Sequence, residues 1–362
     1  MSRVNTVDLV PGMILEADVY NYNDQLILPE GLVLNDKAIT KLSYYAITSV
    51  RIKDVAAEKL VEPVVPEEVV SSYGERLRST EQFKQYKAEF ESTVNEMSRV
   101  LSDVVVKNAP LDSDKMVEEA LNLLNSPEGE VNVFDMVHNM RQYDDITFAH
   151  SLNVGLICNV FAGWLGMSEE DKKLATECGI LHDIGKLKIP ESIIKKPKKL
   201  TDTEFKVVKT HSTEGYKILQ RCNVSTHVKN AALMHHERCD GSGYPFGLIA
   251  DQIDYYAKIV SIADVYEAMT ACRSYRGSLC PFTVIEIFEE EGLQKYDTHM
   301  IMTFLENIVN TYMLNRVRLS NGKEGDIVFI NKNRLSRPTI KCDNNEFIDL
   351  SKEPDLRVEC LL

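Results

Sequence analysis

The 362-residue chain predicts a mainly α-helical protein with a small α+β module at its N-terminus and a small β appendage at its C-terminus. Three observations carry this. From about Leu111 to Arg316, apolar residues recur at helical spacing between recognisable caps. Before residue 60, short strand-like runs are broken by turn residues. Beyond Arg316, strand-like runs return around an Asn321-Gly322 turn signal.

In chain order, residues 1–60 read as a separate module. Met13 to Tyr20 and Gln25 to Leu28 look like strands separated by the turn residues Asn21 to Asp24, and Pro29-Glu30-Gly31 marks the next turn. A helix is expected over Asn35 to Ala46 and a strand over Ile47 to Ile52. Residues 61–110 read as a linker, with Pro63 and Pro66, followed by a long helix from about Tyr73 to Lys107. On it Phe83, Phe90, Met97 and Val104 recur every seven residues, with Val94 and Leu101 between them. Two readings of this stripe stand side by side. The helix packs on its own domain, or the segment around 77–105 joins two copies or transmits a signal.

Residues 111–316 read as one helical domain and 317–362 as its β appendage. Thr201 with Glu204 has capping-box spacing, and Ser168 with Asp171 resembles it. The apolar run from Phe148 to Leu165 contains His150, Asn153 and Asn159, so it reads as a buried helix and not a membrane span. Thr339 to Cys342 and Leu356 to Leu361 add strands to the appendage.

Composition narrows the function. A net charge of −14 argues against a nucleic-acid polymer as partner, and against attraction of anions by the protein as a whole. An anionic substrate therefore needs local cations. Eight cysteines without C-x-x-C spacing suit free thiols in a reducing cytoplasm. The N-terminus shows no apolar signal-peptide core, so a cytoplasmic protein is expected.

Seven residues of metal-ligand type are strung through the helical region: His150, His182, Asp183, His211, His235, His236 and Asp264. They hold five of the eight histidines. Imidazoles mixed with carboxylates suit first-row divalent metals, and adjacent His-Asp allows one carboxylate to lie between two ions. Seven separate accidents, two of them adjacent pairs, are a poor alternative. His138, His227 and His299 belong to no such pattern and read as satisfied core histidines.

Four stretches give this series a family. They are His182-Asp183-Ile-Gly-Lys186, Lys-Thr-His211-Ser-Thr-Glu-Gly, His235-His236-Glu-Arg-Cys-Asp-Gly-Ser-Gly-Tyr-Pro245, and Ser-Ile-Ala-Asp264-Val-Tyr-Glu-Ala-Met-Thr. In this order they resemble the HD-GYP family of bacterial metal-dependent phosphodiesterases, over roughly residues 135–285. The resemblance implies an HD-type all-helical catalytic domain that hydrolyses cyclic di-GMP to linear pGpG, to GMP, or to both, with a metal-activated water. A mixed cyclic GMP-AMP dinucleotide as substrate, a non-enzymatic cyclic dinucleotide receptor, and redox chemistry at a di-iron centre are the alternatives. A regulatory protein partner is also compatible with it.

By resemblance, His150, His182, Asp183 and Asp264 hold one ion. Asp183, His211, His235 and His236 hold a second, with Asp183 bridging. Two divalent ions per chain are expected, iron or manganese before others. Some relatives hold a third through a glutamate four residues before the first histidine. Ile146 stands there and cannot ligate, and Asp144 and Asp145 sit at poor helical offsets. Lys186 resembles the family lysine that contacts the scissile phosphate, so Asp183 and Lys186 are the catalytic candidates. Arg273 and Arg276 match positions that bind phosphate oxygens. Gly241, Gly243 and Pro245 read as a rigid turn shaping the site, and Glu237 and Arg238 as its structural support.

Overall fold

The computed structural model describes residues 2–6, 9–10, 12–20, 26–34, 38–39, 42, 47, 49–53, 80–124, 134, 136, 146–196, 200–271, 279–344 and 346–362. The chain divides into two compact units, 1–70 with 197–199, and 71–196 with 200–362.

In the first unit, β1 (Ser2–Asn5) pairs antiparallel with β4 (Ser49–Ile52), and β2 (Val19–Tyr20) with β3 (Leu26–Leu28). Leu15, Leu34, Leu42, Val50 and Ile52 are among the apolar side chains buried between them. β1 escapes sequence reading because Val4 is its only apolar residue and its partner strand is distant in sequence. Residues 38, 39 and 42 of the expected helix are helical, and the rest of that segment lies outside the described residues. So do the linker around Pro63 and Pro66 and the start of the long helix.

The second unit is mainly helical. Its long helix spans Glu81–Lys107, with Thr80 Oγ1 accepting from Phe83 N at 3.1 Å as the N-cap. Phe83, Phe90, Val94, Met97, Leu101 and Val104 are all buried within the chain. The helix packs on Ser113–Leu124, on Ile146–Trp164 and on the short turn Ile184–Lys188. The apolar stripe is therefore spent on the helix's own unit, which leaves that face unavailable to a second copy.

Ile146–Trp164 is the buried central helix, with Leu152, Val154, Leu156, Ile157 and Phe161 fully covered. It lies close against Glu169–Leu181 because glycines meet where they touch: a Cβ on Gly179 would sit 2.7 Å from the Gly155 Cα. The Ser168 cap and the Thr201–Glu204 capping box both form. Further helices are Asp202–Lys209, His211–Leu219, Thr226–Met234, Tyr255–Thr270, Pro281–Ile287 and Thr298–Asn310. Among the described residues, no helix is long and apolar enough to cross a membrane.

The C-terminal strands form one antiparallel sheet in the order β8-β7-β6-β5-β9, where β5 is Arg316–Leu319, β6 Glu324–Phe329, β7 Thr339–Cys342, β8 Phe347–Asp349 and β9 Val358–Leu361. The β5–β6 hairpin turns at Asn321-Gly322, where Gly322 takes φ +80°. The sheet belongs to the helical unit. Arg337 pairs with Glu286 at 2.9 Å, and Glu289 accepts from Leu335 N at 2.5 Å. β8 is too short, at three residues, to announce itself in sequence.

Candidate metal centre

All seven residues of the His/Asp series converge on one place in the second unit. His150 projects from the central helix. His182 is the residue that ends Glu169–Leu181, and Asp183 starts the Ile184–Lys188 turn. His211 begins a helix immediately after Asp202–Lys209. His235 ends Thr226–Met234, His236 follows it, and Asp264 lies on Tyr255–Thr270. Gly185 makes the convergence possible. A Cβ there would strike the His211 carbonyl oxygen and the Gly215 nitrogen.

The residues form two adjoining clusters. His150, His182 and Asp264 offer ligand atoms within 4.8 Å of one another, and His211, His235 and His236 do the same. Asp183 lies between, with one oxygen turned to each. Its Oδ2 is 3.6 Å from His150 Nε2 and 3.2 Å from His182 Nε2. Its Oδ1 is 3.4 Å from His211 Nε2 and 3.8 Å from His235 Nε2. Lys186 Nζ also contacts Asp183 Oδ2.

Three histidines are oriented by backbone. Nδ1 of His182 lies 2.6 Å from Gly179 O, that of His211 2.7 Å from Val208 O, and that of His235 3.0 Å from Ala231 O. A carbonyl can only accept, so each Nδ1 carries the proton. Each Nε2 then turns a lone pair inward. His211 Nε2 and His235 Nε2 stand 3.2 Å apart in this arrangement. Two lone pairs at that distance call for positive charge between them.

The remaining electrostatics agree. His182 Nε2 and Asp183 Oδ1 are buried without a hydrogen-bond partner. Orphaned buried acceptors are costly, and a cation satisfies both. Burial holds His235, His236 and His211 below the usual imidazole range, reinforced for the first two by neighbouring imidazoles, which favours their neutral form. Burial opposes ionisation of Asp183 and Asp264. Lys186 helps outweigh it at Asp183 and His150 outweighs it at Asp264, keeping both carboxyls well below their usual range. His150 is pushed up to about 9, since Glu267 and Asp264 overcome its burial. The donor set of imidazoles and carboxylates fits first-row divalent ions.

Sequence reading passed over two supporting residues. Glu267 Oε2 lies 2.5 Å from His150 Nδ1, and Asn153 Nδ2 donates to Glu267 Oε1 at 3.1 Å. Glu267 follows Asp264 by three residues and Asn153 follows His150 by three, so each shares a helix face with its neighbour. That spacing was the available signal. Glu237 accepts from Phe246 N at 2.7 Å and Leu248 N at 2.9 Å, and Arg238 Nη1 donates to Ser261 Oγ at 2.7 Å. They brace the loop after the histidine pair, as expected. In that loop the Tyr244 ring stacks on His236, with centroids 4.6 Å apart.

Several expectations fall elsewhere. Arg273 and Arg276 lie outside the described residues, as do Asp144, Asp145 and His138. Ile146 opens the central helix, but its side chain is outside the described set. His227 and His299 are exposed and not core residues, and His227 Nδ1 lies 2.9 Å from Asp254 Oδ2. Both stand in first turns of helices whose apolar faces point the other way.

A family model described as an HD domain matches residues 134–300. Residues 134–300 are thus similar to an HD domain. The chain is 39% identical over 169 residues to 3′3′-cGAMP-specific phosphodiesterase 1 of Vibrio cholerae, covering 46% of this chain and 39% of that protein. It is 33% identical over 232 residues to a cyclic di-GMP phosphodiesterase of Pseudomonas aeruginosa, covering 63% of this chain and 54% of that protein. The chain thus spans about half or less of the length of these curated relatives. The chain is similar in fold to an HDG"Y"P protein from Bdellovibrio bacteriovorus, at TM-score 0.50 and 14% identity, over 85% of this chain and 99% of that one.

Proposed function

We propose that the chain is an HD-GYP phosphodiesterase that hydrolyses cyclic di-GMP. The carrying observation is Asp183, which turns one carboxylate oxygen to each histidine cluster. In this reading His150, His182, Asp183 and Asp264 hold one divalent ion and Asp183, His211, His235 and His236 a second. Iron and manganese suit the donor set best. When bound, such ions supply an activated water and neutralise charge on phosphoryl oxygens for in-line hydrolysis.

The chain's own residues do the rest. Ionised Asp183 and Asp264 and neutral His211, His235 and His236 are already in the ligating form at neutral pH. Lys186 Nζ, beside Asp183, is the cation for the scissile phosphate, where charge grows in the transition state. Arg273 and Arg276 are assigned to non-reacting phosphate oxygens through their planar donor forks. The described cysteines are free thiols, which favours a cytoplasmic enzyme.

The likeness to a 3′3′-cGAMP-specific enzyme favours mixed cyclic GMP-AMP as the second reading. The test is chromatography of cyclic di-GMP, pGpG and cyclic GMP-AMP after incubation with anaerobically purified, metal-analysed protein. Metal-dependent conversion of cyclic di-GMP is expected. Faster turnover of cyclic GMP-AMP selects the second reading, and loss of neither dinucleotide defeats both.

A further inference from the structure

Lys209 is a cation that the proposed reaction does not yet use. It ends the helix Asp202–Lys209, two residues before His211. Its Nζ lies 4.9 Å from the centre of the Tyr244 ring and 5.0 Å from that of Phe205. Tyr244 in turn stacks on His236, so this ammonium stands one ring away from the second cluster.

Its surroundings differ from those of several lysines in this acidic chain. Lys172, Lys195, Lys196, Lys217 and Lys295 each pair with a carboxylate. Lys209 has no carboxylate partner among the described residues, and Lys206 is a neighbouring cation. It is half-buried between two rings, whose faces stabilise a cation less than an ion pair does. A half-buried ammonium without a counter-ion, at the rim of a phosphate-handling site, is poised for an anion from outside.

The position of Lys186 sharpens this. Lys186 lies on the Asp183 Oδ2 side, with His150 and His182. Lys209 reaches the other cluster through Tyr244, which stacks on His236. The two ammoniums therefore stand beside different clusters. A cyclic dinucleotide carries two phosphodiesters, only one of which is cut at a time. We propose that Lys209, seated on Tyr244, forms a subsite for the second, non-scissile phosphate of a two-phosphate substrate. This rests on the phosphodiesterase reading above. The subsite selects dinucleotides over substrates with a single phosphodiester.

The test compares a cyclic dinucleotide with bis(p-nitrophenyl) phosphate, which has one phosphodiester, using the full metal-loaded chain. In Lys209→Met, the ratio of kcat/KM for the dinucleotide to that for the single diester should fall about ten-fold or more, chiefly through the dinucleotide's KM. Lys209→Arg should restore most of it. Metal content checks the fold, and Lys209→Gln gives the same ratio should the methionine variant lose metal. An unmoved ratio overturns the subsite. So does a parallel fall on both substrates, which would mean that Lys209 only supports His211. Cleavage of the single diester but of no cyclic dinucleotide by the wild-type chain overturns the substrate reading and the subsite together. Dinucleotide cleavage indifferent to Lys209 overturns the subsite alone.

Discussion

Glu267 and His150 face each other on buried helices, with Oε2 at 2.5 Å from Nδ1. The contact fixes the His150 ring with Nε2 towards Asp264 and Asp183. A carboxylate behind a ligating histidine also raises its basicity. Glu267→Gln keeps the shape and removes the charge. It should lower metal affinity at the His150 cluster by roughly 10–100-fold. Manganese titration would register this, and unchanged affinity would mean that Glu267 only fills space.

A pH dependence follows from the same pair. In the metal-stripped chain, His150 is raised to about 9, burial being outweighed by Glu267 and Asp264. Its Nε2 is then protonated at neutral pH, and an ion must displace that proton. His235 and His236 are held well below the usual imidazole range and have none to lose. Metal affinity should therefore rise as pH rises, by up to about ten-fold per unit for one proton released. The rise should level off above about 9. Apparent affinities for Mn²⁺ across this range, which stay flat if His150 is already neutral, provide the check.

How much of this was legible in sequence depends on how local each signal is. His182-Asp183 and His235-His236 are adjacent in the chain, and helix caps such as Thr201 act over three residues. Such features survive without knowledge of the fold. Glu267 does not, because its partner is 117 residues away and a glutamate in a helix usually reads as solvated. The stripe from Phe83 to Val104 shows the opposite limit. Periodicity declares an apolar face, but only packing reveals that its own unit covers it. Lys209 stands in the stretch that holds His211, but its contact with the Tyr244 ring needs the fold to be seen.

Gly185 offers a test of how tightly the centre is built. Gly185→Ala would push a methyl group into the His211 carbonyl and the Gly215 backbone. Backbone cannot swing aside as a side-chain end does. Overpacking of this kind costs about 1–3 kcal/mol or more. It should also displace His211, so ion occupancy should fall at the second cluster before the first. Denaturant unfolding and metal analysis together read both effects. A variant of wild-type stability with two bound ions would show that the helices have room to part.

Asp183 and Lys186 touch, yet their loss should separate cleanly. Asp183→Ala removes the carboxylate that faces both clusters, so metal content and hydrolysis should collapse while helicity persists. Lys186 contacts Asp183 but is assigned to the substrate phosphate, so Lys186→Ala should keep two ions per chain and lose turnover. Removing one charge-assisted contact costs about 1.5–3 kcal/mol, which is roughly ten-fold or more in rate or affinity. For Lys186 this should appear in the single-turnover rate. For Arg273→Ala and Arg276→Ala it should appear in substrate affinity. Two ions are expected and not three, because Ile146 stands where a third-site glutamate would be needed. Metal loss in Lys186→Ala would make that lysine a support for Asp183 and not a substrate contact. Three fully occupied ions in the wild-type chain would bring Asp144 or Asp145 into the centre.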